Sequence, residues 1–127
     1  MEELLQMLRE KHQEAEEIDE KIRIVEQNIA ELEVFSNNLI FLNNNEKEII
    51  APIGKGVYVK ADMREMDFFI EVGAGILTKK TLEETKGVIE SQVKKLGDIK
   101  VQLFSDKEET QVMLQGLLNK FEEKNNS

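Results

Sequence analysis

The chain has 127 residues, 34% of them charged and 6% aromatic, with no Trp and no Cys. That is enough for one domain, excludes a disulfide framework or a thiolate zinc site, and reads as long helices better than as a compact globule. The formal net charge of −9 would repel a phosphate backbone, so no nucleic-acid partner is expected.

Residues 1–48 contain neither Pro nor Gly and carry 13 acids against 5 bases. Met1, Leu4, Leu8, Ala15, Ile18, Ile22, Val25, Ile29, Leu32 and Leu39 follow a 3-4 spacing, with Lys11 and Ser36 filling the two remaining places. Such a spacing keeps one narrow apolar seam on a helix and is the mark of a coiled coil. A first helix over 1–45 is expected, about 65 Å long at 1.5 Å per residue. The Asn run at 43–45 is its expected end, since Asn tolerates the left-handed conformation that stops helices.

Residues 49–80 differ in kind. β-branched and aromatic residues flank Gly54-Lys55-Gly56 and again Gly73-Ala74-Gly75. Four strands are expected, at about 49–53, 57–63, 68–72 and 76–80, forming two hairpins in series. Pro52, the sole proline, places the first strand at a sheet edge or beside a bulge.

A second helix is expected over 81–124. Thr81 and Glu84 have the spacing of a capping box at its start, and "KNNS" at the end should fray. Ile89, Val93, Leu96, Leu103, Leu114, Leu117 and Phe121 fit one seam, while Lys86, Lys100, Lys107 and Thr110 interrupt it. The expected fold is therefore mainly α with a small β part. It is a single domain: a long antiparallel coiled-coil hairpin with two β-hairpins between the helices. Met1–Leu8 should lie opposite roughly 114–121.

The stretch "EVGAGILTKKT" resembles a dinucleotide loop only at first sight. That loop needs a helix directly after its glycines, so that the helix N-terminus meets the pyrophosphate. Here a β-like run follows. "PIGKGVY" lacks the Ser or Thr and the helix of a P-loop. Gly73 and Gly75 are read as providing positive φ in a tight turn. No nucleotide, metal or other cofactor is expected. His12, the one histidine, could form at most a weak metal pair with Glu16 and is read as a solvated surface group. No nucleophile with a plausible triad is present, so the chain is read as a non-enzyme. No apolar run approaches the ~18 residues of a membrane span, and Glu2 and Glu3 stand where a signal peptide would be basic. No membrane association and a cytoplasmic location are expected.

"PIGKGVYVKADM" followed by "FFIEVGAGILTKKTLEET" resembles the paired hairpins of alpha-class prefoldin subunits, whether archaeal-type alpha or the alpha-like gamma prefoldins. Lys55 and the weak second seam depart from that pattern. The resemblance implies an ATP-independent chaperone subunit that holds unfolded proteins at its coiled-coil tips. It also implies assembly with beta-class subunits in a hetero-hexamer and transfer of clients to a group II chaperonin. Self-association through the hairpins into a homo-oligomer or filament is the alternative.

Two sets of residues follow. Met1, Leu4, Leu5, Met7 and Leu8, with Met113, Leu114, Leu117, Leu118 and Phe121, exceed one coiled-coil stripe and are candidates for client contact. They could instead simply close the end of the coil. Val57, Val59, Ala61 and Met63, with Phe68, Ile70 and Val72, alternate onto hairpin faces and are candidates for assembly. The other reading of the hairpins is an intramolecular four-stranded sheet packed on the helix bases near Leu39, Phe41 and Leu42.

Overall fold

The computed structural model describes residues 2–42, 48–62 and 67–126. Helix α1 spans Glu2–Leu42, followed by strands β1 (Glu48–Gly54), β2 (Val57–Asp62), β3 (Phe68–Gly73) and β4 (Ile76–Lys80), then helix α2 (Leu82–Asn126). The expected stop at 43–45 lies outside the described residues. Helix α2 runs to Asn126, past the expected end at 124.

The chain packs as two compact units. One holds residues 1–30 and 94–127, the other 31–93. Apart from Leu5, every described α1 side chain that is not exposed lies in the 3-4 register read from the sequence, Lys11 and Ser36 included. In the first unit, α1 buries Leu4, Ile18, Ile22 and Val25, and α2 buries Leu117 and Thr110.

The polar residues that interrupt the α2 seam are accommodated within it. Lys107 Nζ reaches Asp19 Oδ1 at 2.8 Å, and Lys100 Nζ reaches Glu26 Oε1 at 3.8 Å. These pairs lie one heptad apart and step in opposite directions along the two helices, which fixes an antiparallel register. The aliphatic stem of each lysine covers the seam while its ammonium reaches the flank. Among the described residues no buried side-chain N or O lacks a partner. The fold is a long antiparallel coiled-coil hairpin with two small β-hairpins between its helices in the chain.

In the second unit the core is Leu39, Leu82 and Ile89, with Leu32, Val93 and Phe68 packed against it. The start of α2 is the capping box expected from the sequence. The Thr81 N–H donates to Glu84 Oε1 at 3.2 Å, and the Glu84 N–H donates to Thr81 Oγ1 at 3.1 Å. Thr85, buried here, donates its hydroxyl to the Thr81 carbonyl at 2.8 Å. Each hairpin is a separate two-stranded antiparallel sheet, so the alternative of one four-stranded sheet does not form among the described residues.

Candidate assembly and client surfaces

Both hairpins turn in the same way. φ is +123°, +50° and +77° at Gly54, Lys55 and Gly56, and +127°, +50° and +75° at Gly73, Ala74 and Gly75. The positive values at the two central residues of each turn, Lys55-Gly56 and Ala74-Gly75, match the right-handed twist of the flanking strands. The register slips just before each turn, between Pro52 and Gly54 and between Glu71 and Gly73. Pro52 thus stands beside a bulge, as its missing N–H requires.

The hairpins differ in what covers them. In β3–β4 the pairs Phe68–Lys80 and Ile70–Thr78 share one half-buried face, while Phe69–Lys79 and Glu71–Leu77 share the exposed one. Phe68 packs on the Leu39, Leu82 and Ile89 core. In β1–β2 only Ala51 and Ala61 are half-buried among the described side chains. Ile50 and Tyr58 on one face are 71% and 64% exposed, and Val59 on the other is 45% exposed. The Lys60–Glu48 pair at 3.0 Å and the Lys79–Asp67 pair at 3.1 Å are solvated.

The expected assembly residues therefore fall into three groups. Val57, Val59 and Val72 are exposed. Ala61, Phe68 and Ile70 are half-buried, Phe68 and Ile70 facing inward. Met63 lies outside the described residues. Of the expected helix-base partners, Leu39 is the most buried described side chain; the side chains of Phe41 and Leu42 lie outside the described set. Sequence reasoning missed Ile50, Ile53, Tyr58, Phe69, Ile76 and Leu77, all exposed. The signal was present as apolar residues on both faces of each strand, where a half-buried strand shows one.

At the far end of the first unit, Leu4 and Leu117 are buried and Leu5, Leu8, Leu114 and Phe121 half-buried. Met7, Met113 and Leu118 are exposed, and Met1 is outside the described residues. Coil closure and outward apolar surface thus coexist. Val101, Phe104 and Val112, also exposed on α2, were missed because they fall off the seam register.

His12 Nε2 lies 3.0 Å from Glu16 Oε1 in solvent, and no metal-capable cluster of three groups occurs among the described residues. The charge pairs are surface pairs. Arg23 holds the Glu20 carboxyl below its usual range, chiefly through its hydrogen bonds. The Thr81 N–H and then the Thr81 hydroxyl side lower Glu84, with Lys80 adding a smaller effect. No described helix is long and apolar enough to cross a membrane.

A two-helix coil interrupted by paired hairpins defines the class. The family model described as prefoldin subunit matches residues 4–127. The chain belongs to the prefoldin family, as a subunit of the alpha type. It is 30% identical over 88 residues to prefoldin subunit alpha of Methanobrevibacter smithii, a match covering 68% of this chain and 60% of that protein. It is 29% identical over 90 residues to prefoldin subunit alpha of Thermofilum pendens, covering 68% and 70%. It is 36% identical over 78 residues to prefoldin subunit alpha 2 of Thermococcus kodakarensis, covering 61% and 55%. Among solved structures, a chain of filamentous PFD from Methanocaldococcus jannaschii has the same fold. Its TM-score is 0.76 at 20% identity, over 94% of this chain and 99% of that one.

Proposed function

We propose that this chain is a subunit of an ATP-independent, non-enzymatic holdase that captures unfolded proteins in the cytoplasm and passes them to a group II chaperonin. The observation that carries this reading is an apolar surplus. The coil seam is already filled, yet Met7, Met113 and Leu118 face outward. Flexible Met and Leu side chains suit contact with varied partners, and family membership supports a chaperone role over an enzymatic one. The hairpins join the chain to beta-class subunits in a hetero-hexamer, and 1–127 acts as one prefoldin-like domain.

Deleting Met1–Leu8 together with Leu114–Ser127 tests the tips. Assembled with beta-class partners at confirmed size, the truncation should lose most of its suppression of aggregation of a denatured model protein. Full suppression would move client contact elsewhere. A second reading, self-association through the hairpins into a filament, is favoured by the filamentous neighbour. Light scattering of the purified chain separates the two. Long polymers without a partner support the filament, whereas a small oligomer that grows only on adding a beta-class subunit supports the hexamer.

A further inference from the structure

On the first unit, the side of α2 turned away from the seam carries an open groove lined by Ser105, Glu108, Glu109, Val112 and Met113. Val112 is 68% exposed and Met113 52%. Glu109 and Met113 also line an adjoining furrow with Glu14, Glu17 and Asp106. The furrow's lysines are Lys11, held by Glu14 at 3.0 Å, and Lys21. Asp106 already accepts the Gln102 amide at 2.9 Å. Glu108 and Glu109 make no hydrogen bond or ion pair with any described residue.

Free carboxylates beside exposed apolar atoms select one kind of occupant. On this acidic face charge favours a basic partner over a second copy of this chain, with its net charge of −9, or a nucleic acid. Lysine and arginine side chains lay an aliphatic stem on apolar surface while their charged heads reach further. We infer that this groove takes extended segments of unfolded polypeptide in which apolar residues alternate with lysine or arginine. Val112 and Met113 receive the apolar atoms, and Glu108 and Glu109 receive the cations. The inference rests on the holdase reading and names the class of client it favours.

The test uses the full chain in its native assembly and two fluorescent synthetic peptides of equal length and equal leucine and phenylalanine content. One is interspersed with lysine and arginine, the other with glutamate. Anisotropy titrations should show tighter binding of the basic peptide, weakening with salt. Each of Glu108→Gln and Glu109→Gln should weaken it by about two- to fivefold, the range of exposed charge pairs. Neither should affect the acidic peptide in the same direction. Met113→Gln should weaken both. Equal binding of the two peptides overturns the inference and leaves the holdase reading standing. So does a basic preference that survives the double Gln variant, because whole-molecule charge then explains it. Binding of neither peptide overturns both. A Val112→Asp variant with altered sedimentation size would make this a contact between copies and also overturn the inference.

Discussion

The two hairpins share one turn and differ in everything that surrounds it. Gly54-Lys55-Gly56 and Gly73-Ala74-Gly75 have nearly the same φ values, and each turn follows a register slip. Yet β3–β4 sets Phe68 against the Leu39, Leu82 and Ile89 core, while β1–β2 leaves Ile50, Val57, Tyr58 and Val59 in solvent. A lone two-stranded ribbon is marginal in water. The second hairpin draws stability from its own helices, whereas both faces of the first stay largely exposed, as the proposed assembly role requires. One local geometry thus sits in two environments, set by what lies against it.

The largest effect is expected beneath the second hairpin. Leu39 is 2% exposed, and Leu39→Ala should lower stability by about 2–5 kcal/mol, the range for a buried leucine. Urea unfolding followed by circular dichroism measures it.

Matched aspartates separate the hairpins directly. Phe68→Asp and Ile70→Asp place a carboxylate on the inward face, with an expected loss of about 1–3 kcal/mol. Tyr58→Asp and Val59→Asp lie on exposed surface and should change the stability of the unassembled chain by less than about 0.5 kcal/mol. They should instead reduce oligomer size in sedimentation. Equal stability losses at all four positions would erase the distinction.

The turns themselves should respond alike. Lys55 and Ala74 both hold φ of +50° with a side chain, a conformation that costs an L-residue about 1 kcal/mol. Lys55→Gly and Ala74→Gly should each relieve part of that strain, so thermal melting should rise slightly and by similar amounts. A gain at only one turn would show that the two are not equivalent.

The smallest effect is electrostatic and belongs to the covered side. Glu84 is depressed below the usual glutamate value by the Thr81 hydrogen bonds. A depressed carboxylate adds stability above its unfolded pKa, and that contribution is lost as pH falls through the lower, folded value. Acidification through this window should therefore loosen the start of α2, and Glu84→Gln should flatten that part of the pH profile. Helical content against pH, compared between the two proteins, measures it.

Much of this was legible in the residues. The α1 register held from Leu4 to Leu39, because a coiled coil buries one stripe and nothing else competes for it. The strands were placed within a residue or two, and the capping box at Thr81 and Glu84 formed as its spacing required. The weak point was α2. Lys100 and Lys107 looked like breaks in the seam and are part of it, because their carboxylate partners, Glu26 and Asp19, come from α1. No scan along one helix reveals a partner on another.

The candidate surfaces were less legible. Alternation put Phe68 and Ile70 together on one face of β3, but it could not say whether that face met another subunit or the chain's own helices. Sequence by itself determined the periodic helices, the glycine turns and the cap, because each depends on neighbours within a turn or a strand pair. Only the tertiary structure decided that Phe68 is covered by Leu39 and Ile89 while Tyr58 is left bare. Which face finds cover depends on residues brought together from distant parts of the chain.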